Sequence, residues 1–141
     1  MNFPAIADLL PHQGNMVFLD GIDSHDQLNT QCHLTWPADS PYSDRTGNLP
    51  PALLVEAAAQ CVGVHAGLKL AGKDQELKGG FLIALDQAEI HPQAVPAGLK
   101  LTLATEEVWL DGNYGVFTVT IRDDQNMQYF SGKLKVLQTD Q

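Results

Sequence analysis

The pattern of hydrophobic and polar positions predicts one long buried helix in the middle of the chain. Residues 50–69 are rich in alanine and leucine and carry almost no charge. The run is too long for an ordinary strand, so it predicts a helix with apolar residues on nearly every face. Pro50 and Pro51 suit the first turn of a helix, where no amide donor is needed, and residues 71–76 end it.

Segments on both sides of this helix predict strands, and the alternation of apolar and polar residues is clearest over residues 28–36 and 114–123. Two strands precede the helix and four follow it, over residues 16–20, 28–36, 78–90, 99–111, 114–123 and 127–138. A turn over residues 23–26 joins the first two strands, and the short turns between the later ones imply antiparallel neighbours. A short helix over residues 4–10 is stopped by Pro11, and residues 37–49 form a turn-rich loop.

A helix that is apolar nearly all round needs a surface wrapped around it, and a curved antiparallel sheet supplies one. We therefore predict an α+β fold in which about six antiparallel strands surround one long central helix. No repeat, low-complexity segment or linker divides residues 1–141, so a single domain is expected.

The charge balance argues against one class of function. The chain carries 17 acidic and 8 basic residues, which gives a net charge of −9. Non-specific nucleic-acid binding is not expected, because the affinity for phosphate comes mainly from lysine and arginine. Three of the bases, Lys69, Lys73 and Lys78, lie at the end of the long helix or just beyond it. Such a cluster is usually a solvated helix end, and otherwise a landing patch for a phosphate or an acidic partner.

Targeting and cysteine patterns predict a cytoplasmic protein. No signal peptide is recognisable, and no membrane span is expected because His65 and Lys69 interrupt the best candidate. Cys32 and Cys61 fall in a predicted strand and in the predicted helix, where buried free thiols are the usual state. The cysteines and histidines show no ligand spacing, so no metal site is expected.

Glu56 is the one carboxylate of the long apolar helix. Burying a carboxylate is costly unless it is hydrogen-bonded, neutral or needed for chemistry. Gln60 shares its stripe of the helix, Gly63 and Gly67 fall near the same line, and His65 points nearly opposite. The glycines fit tight packing of the helix on a sheet. With the carboxylate and the amide they also fit a polar spot in an apolar groove, which is the usual composition of a ligand site.

Two separated motifs resemble the 3-hydroxyacyl-(acyl-carrier-protein) dehydratases. Residues 9–20, Leu-Leu-Pro-His-Gln-Gly-Asn-Met-Val-Phe-Leu-Asp, resemble the family's "LLPHRxPFLLVD" opening. Residues 50–60, Pro-Pro-Ala-Leu-Leu-Val-Glu-Ala-Ala-Ala-Gln, resemble its "PGVLxxEAMAQ" helix. The strands follow in the same order, so the resemblance covers nearly the whole chain and implies the hotdog fold, a sheet wrapped around one long helix.

The resemblance also implies an activity, the removal of water from a 3-hydroxyacyl thioester to give a 2-enoyl thioester. Glu56 corresponds to the family's helix carboxylate, and Gln60 to the glutamine that supports the helix and the site. No cofactor is implied beyond the phosphopantetheine of acyl carrier protein, or coenzyme A, that carries the substrate. The acidic carrier protein would meet the lysine group or Arg45. Since the family's two catalytic residues come from different subunits, a homodimer or a heterodimer with another hotdog protein is implied.

The chain departs from the family in the loop before the helix, which normally carries the catalytic histidine. Counted back from the helix without gaps, that histidine falls on Tyr42, and residues 41–50 contain no histidine. The pattern of Gly47, Leu49 and Pro50 ahead of the helix glutamate resembles a divergent branch of predicted dehydratases. Some members of that branch accompany aryl-polyene pigment clusters beside a second dehydratase-like protein.

Dehydration needs a base for the proton on C2, an acid for the leaving hydroxyl and donors for the thioester carbonyl. Glu56 suits the role of the acid that protonates the leaving hydroxyl. His12 is the first candidate for the base, although by resemblance it is mostly a scaffold residue. Tyr42 and Asp44 follow, although Asp44 more often serves as a loop or capping residue. The residues expected to line the substrate site are Tyr42, Gly47, Leu49, Pro50 and Gln60. The loop from Gly47 to Leu49 is also expected to bring an amide to the carbonyl.

Three hypotheses for the function remain open. The first is an active 3-hydroxyacyl-carrier-protein dehydratase of fatty-acid, polyene or polyketide-type biosynthesis that uses Glu56 with an unusual partner. The second is a non-catalytic subunit that binds an acyl chain or stabilises a catalytic hotdog protein. The third is a hotdog acyl thioesterase, because a carboxylate on the same helix can direct water at a thioester.

Overall fold

Six strands and two helices build the fold in the computed structural model, which describes residues 2–11, 14–73, 75 and 79–139 apart from the side chains of residues 81 and 139. In chain order these are α1 (Ile6–Leu9), a 3-10 turn (Gly14–Met16), β1 (Gly21–His25), β2 (Asn29–Thr35), α2 (Ala52–Ala71), β3 (Gly79–Ile90), β4 (Lys100–Asp111), β5 (Tyr114–Asp123) and β6 (Gln128–Thr139). The long helix and the five later predicted strands are confirmed within a few residues at each end.

The strands form one antiparallel sheet in the order β1-β2-β4-β5-β6-β3, which curls around α2. Its register stacks apolar residues on the helix side: Leu34 of β2 pairs with Leu101 of β4, and Ile121 of β5 pairs with Phe130 of β6. This arrangement confirms the predicted α+β class and the hotdog fold. β1 and β3 are the two edges of the sheet.

The core lies between α2 and the concave face of the sheet. Small and branched side chains of α2 let the strands approach closely, which is the usual way to pack a helix on a curved sheet. The buried apolar side chains at this contact are Cys32, Leu34, Leu54, Ala57, Ala58, Cys61, Val64, Leu101, Leu103, Phe117, Val119, Ile121, Phe130 and Leu134.

Both cysteines are buried free thiols, as predicted. The pKa of Cys61 is raised well above its usual value by a hydrogen bond with Cys32 and by burial. Among the described residues, α2 is the one helix long and apolar enough to cross a membrane, and 56% of that stretch is buried inside the protein, as in a core helix.

The strand predicted over residues 16–20 is wrong. Residues 14–16 form a 3-10 turn, and β1 starts only at Gly21. The reason is a long-range contact. The side chain of Gln60 accepts a hydrogen bond from the backbone N–H of Phe18 and donates one to the backbone carbonyl of Met16, and in a strand both groups would bond to a neighbouring strand. The turn after β1 is correspondingly shorter than predicted, and the Asp26 carboxylate closes it by accepting the backbone N–H of Asn29 at 2.8 Å.

Candidate functional site

The Glu56 groove runs along the face of α2 next to β3 and β6, and its volume is about 170 Å³. Its walls are Leu10, Pro11, Val55, Glu56, Ala59, Val62, Gly63, Ala66, Gly80, Leu82, Val136 and Gln138. Glu56 and Gln138 are the two polar side chains of this lining: Glu56 lies at the start of the helix part, and Gln138 also borders a neighbouring pocket. The groove is therefore an apolar slot that starts at a carboxylate.

The two glycines of the helix stripe have different surroundings. A Cβ atom on Gly67 would come within 2.9 Å of the carbonyl oxygen of Leu9, so this glycine allows α1 to pack directly on α2. Gly63 instead lines the Glu56 groove. The packing interpretation therefore holds for Gly67 and the groove interpretation for Gly63.

Gln60 holds the carboxyl group of Glu56 in place. Its Oε1 accepts the backbone N–H of Phe18 at 2.8 Å, while its Nε2 donates to the backbone carbonyl of Met16 at 2.6 Å and to Oε1 of Glu56 at 3.2 Å. The amide is only 1% exposed. Since the oxygen faces a donor and the nitrogen faces two acceptors, the orientation of the amide is fixed. Gln60 thus ties Glu56, one turn earlier on α2, to residues 16–18.

We expect Gln60→Leu to lower the free energy of unfolding by about 2 kcal/mol, because it leaves the Phe18 N–H and the Met16 carbonyl without their partner. Chemical denaturation of the variant measures this loss. Gln31→Leu, on the exposed side of β2, is the matched control and should change the midpoint little. Equal midpoints for the two variants would contradict the role of Gln60.

Tyr42, at the position of the family histidine, is not among the groove-lining residues. Its ring packs edge-on against Phe18 with 5.8 Å between centroids, and Phe18 in turn packs against Trp36 at 5.2 Å. Tyr42 is therefore connected to Gln60 through Phe18.

The loop before α2 is closed on itself. Oδ1 of Asp44 accepts from the Thr46 hydroxyl at 2.7 Å and from the backbone N–H groups of Thr46 and Asn48. The hydrogen bond from Thr46 and the bonds from the backbone hold the pKa of Asp44 below its usual value. Asp44 is thus a capping residue and a poor base, which agrees with the capping interpretation of the sequence.

The amides expected to reach a thioester carbonyl already have acceptors within the chain. Gly47 N–H bonds to the Asp44 carbonyl at 3.0 Å, and Leu49 N–H bonds to the Val95 carbonyl at 2.9 Å. Leu49 is fully buried, and Pro50 has no amide hydrogen. For one of these amides to reach a thioester carbonyl, the loop would have to give up one of these hydrogen bonds. Gly47 instead turns the chain with a φ of +84°.

His12 lies outside the described residues, although Leu10 and Pro11, directly before it, line the groove. The four described histidines lie elsewhere. His33 pairs with Asp23, and His91 contacts the backbone of Gln93. Among the described residues, no group of three or more His, Cys, Asp or Glu side chains is placed to hold a metal ion.

A buried polar network on the far side of α2 escaped the sequence analysis. The His65 network consists of His25, Thr30, His65, Lys69 and Glu107. The Thr30 hydroxyl lies 2.7 Å from Nδ1 of both His25 and His65, and Oε1 of Glu107 lies 3.2 Å from Nε2 of His65 and 2.7 Å from Nζ of Lys69. His65 and Thr30 are fully buried. The network joins α2 to strands β1, β2 and β4.

The acceptors fix where the protons lie in this network. A carboxylate only accepts, so Nε2 of His65 carries the proton that it shares with Glu107. Its Nδ1 then accepts from the Thr30 hydroxyl, whose oxygen accepts from Nδ1–H of His25. Both nitrogens of His65 are thus used inside the protein, and this histidine does not serve as a base for a ligand.

Burial sets the charge states of the network. It lowers the pKa of His65, and the Glu107 carboxylate only partly opposes this effect. Burial likewise lowers the pKa of His25. For Glu107, burial acts to raise the pKa, but hydrogen bonds from Lys69 and His65 outweigh it and hold the pKa below its usual value. The stable state is therefore neutral histidines beside a Glu107–Lys69 ion pair.

An antiparallel sheet curled around one long helix, with a helix carboxylate in an apolar groove, defines a hotdog-fold protein. The chain belongs to the ApeP-like family, described as ApeP dehydratase, whose model matches residues 4–141. This membership confirms the resemblance carried by the two sequence motifs, including the divergent branch. A search of curated protein sequences gives no significant match.

Solved structures share the same fold. "The Dehydratase Heterocomplex ApeI:P from Xenorhabdus doucetiae" superposes with a TM-score of 0.93 at 22% identity, over 99% of this chain and 94% of that chain. The Escherichia coli PaaI protein of the phenylacetic acid degradation operon gives 0.64 at 15% identity, over 83% and 81%. A hypothetical thioesterase with coenzyme A from Streptococcus pneumoniae gives 0.63 at 16% identity, over 85% of each chain.

Proposed function

We propose that this chain is a subunit of a hotdog dehydratase that removes water from a 3-hydroxyacyl thioester carried by acyl carrier protein. The observation that carries the proposal is Glu56, whose carboxyl group is fixed by Gln60 at one end of an apolar groove. Such a slot suits an acyl chain, and a positioned carboxyl group suits proton transfer at the carbons next to the thioester.

In this reaction a base removes the proton from C2, the electron pair forms the C2=C3 double bond, and the C3–O bond breaks. Glu56 protonates the departing hydroxyl, which leaves as water. Proton exchange with solvent restores both groups after each turnover.

The base comes from His12 or from a second subunit. No histidine lines the groove among the described residues, and His65 is engaged on the opposite side of α2. The family's usual arrangement, in which two subunits share one site, favours a second hotdog protein as the source. The match to a dehydratase heterocomplex supports a heterodimer over a homodimer.

The sheet offers an edge for such a partner. β3 is a twelve-residue edge strand, and it exposes Leu82, Ile83 and Ile90. Long apolar edges pair readily with another strand. Leu82 also lines the Glu56 groove, so a partner on this edge would reach the site.

The acidic carrier protein would dock on exposed bases near the site. Nζ of Lys69 is already bound to Glu107 at 2.7 Å, and Lys78 lies outside the described residues. Lys73 and Arg45 are exposed; Lys73 lies beyond the C-terminal end of α2, far from Glu56, so Arg45 in the loop before α2 remains the better candidate. Coenzyme A thioesters lack the acidic protein and should therefore be poorer substrates if this docking matters.

The proposal is tested by incubating a 3-hydroxyoctanoyl thioester of acyl carrier protein with the purified chain, with its partner, and with a mixture of the two. The partner is a histidine-bearing hotdog dehydratase from the same genome, and mass spectrometry follows the 2-enoyl product. We expect co-purification and rapid turnover in the mixture. Activity of the chain alone that is lost in His12→Ala would instead assign the base to His12. If the mixture turns over no faster than the partner alone, the dehydratase role of this chain is excluded.

A non-catalytic partner subunit is the second candidate, since no histidine lines the groove among the described residues. In that case the mixture would stay active when Glu56 is replaced. Thioesterase activity is separated in the same experiment, because it releases a free thiol in place of a 2-enoyl thioester.

A further inference from the structure

The Glu56 groove extends in one direction only. Its helix lining begins at Val55 and Glu56 and continues toward the C-terminal end of α2, through Gly63 to Ala66. With the reacting carbons at Glu56, a chain in this groove must point toward Ala66. A phosphopantetheine arm is a poor occupant, because its two amides would lose hydrogen bonds against side chains that are mostly apolar.

The far end of the groove is closed to alkyl groups by charge. Ala66 and Gln138 line both the groove and a neighbouring pocket, whose other walls include His65, Lys69 and Glu107. A chain that passed Ala66 would strip water from the Lys69–Glu107 ion pair. Removing water from charged groups is costly, so an alkyl terminus should stop before it.

Length and volume set bounds on how many carbons fit. Ala66, the last helix residue of the lining, lies ten residues beyond Glu56, or about 15 Å along the helix axis. An extended chain with carbon–carbon bonds of about 1.5 Å covers this distance with roughly twelve carbons. The volume of about 170 Å³ is close to that of a roughly 150 Å³ cavity that holds benzene, which indicates about seven carbons.

We propose that the Glu56 groove selects acyl chains of medium length, up to about ten carbons, which lies between these two bounds, and that Gly63, about 10 Å from Glu56 along the helix axis, leaves room for the last carbons. This inference rests on the proposed function, since it takes the thioester to lie at Glu56. Gly63 is a specificity-determining residue that takes no part in proton transfer.

Binding of saturated acyl thioesters from C4 to C14 tests the limit without turnover. For the unmodified complex we expect the affinity to rise about fourfold per methylene until about C10 and then to level off. Gly63→Val should move the plateau to about C7, because the added side chain takes the space of about three carbons. Gly63→Ala, a smaller step, should move it less. Both residues favour a helix more than glycine does, so the variants should fold.

Ala71→Val adds a similar side chain at an exposed end of the same helix and is the matched control, with an unchanged plateau. The limit is overturned if Gly63→Val weakens all chain lengths equally or leaves the plateau in place. If the chain-length profile behaves as expected but no thioester is dehydrated, the groove assignment stands and the proposed activity fails. A shift in plateau together with turnover supports both.

Discussion

Glu56→Ala is expected to lower the dehydration rate of the assembled complex by about 10²- to 10⁴-fold, the usual contribution of a positioned acid or base. The carboxyl group is held at the start of the groove by Gln60, and its removal takes the proton away from the leaving hydroxyl. Glu56→Gln keeps the shape and a hydrogen-bonding group but provides no acidic proton, so it should be equally slow. Single-turnover rates measured by mass spectrometry give the comparison.

Glu106→Ala is the matched control, since this carboxylate is exposed on β4 and away from the groove. Its rate should equal that of the unmodified protein. Gel filtration of the complex checks that each variant still assembles. Full activity of Glu56→Ala in an intact complex would remove Glu56 from the reaction and favour the non-catalytic subunit.

His65→Ala should destabilise the protein by about 3 kcal/mol, through a buried cavity and the loss of partners for Thr30 and Glu107. That is a large part of the total stability of a domain, about 5–15 kcal/mol. Chemical denaturation measures the loss. His33→Ala is the control: its ion pair with Asp23 is partly exposed, so the cost should be less than about 1 kcal/mol. A His65 variant as stable as the His33 variant would contradict the structural role of the network.

The same network predicts how stability depends on pH. The pKa of His65 and of His25 is lower in the folded protein than the usual value of 6.5, mainly because of burial. The unfolded chain therefore binds more protons below about pH 6.5, so the free energy of unfolding is greatest above this pH. It falls as the pH falls, until the folded protein also takes up the protons.

His65→Leu isolates this effect. Acidification also reduces the net charge of −9 and its self-repulsion, but that change is shared by the variant and the unmodified protein. Between pH 7 and pH 5.5 the unmodified protein should lose up to about 1.4 kcal/mol per pH unit more than the variant. Parallel curves for the two proteins would mean that the proton balance of His65 does not change on unfolding.

Local patterns predicted the framework of the site well. The i, i+4 spacing placed Gln60 beside Glu56, and the structure joins them by a hydrogen bond of 3.2 Å. The long helix and the later strands were predicted from periodicity alone, because a residue's burial within an element follows its position in the repeat. The capping role of Asp44 was likewise predictable, since its partners lie within four residues.

Contacts between distant residues were not predictable in this way. Residues 16–20 are a short, mostly apolar run of the kind that predicts a strand, but Gln60, more than forty positions later, hydrogen-bonds to the backbone groups of Met16 and Phe18. The His65 network joins residues 35 and 42 positions apart. One signal was present: His65 stands in an apolar run one turn before Lys69, and a polar residue at such a position needs a partner.

The sequence by itself determined the long apolar helix, most of the strands around it, and the carboxylate and amide on one helix stripe. These depend on periodicity and on short-range spacing, which the chain carries locally. Only the tertiary structure decided that Gly63 opens a groove while Gly67 packs against Leu9, that the loop amides near Gly47 are already bonded, and that His65 is held on the opposite side. These outcomes depend on which distant backbone and side-chain groups satisfy one another once the sheet closes around the helix.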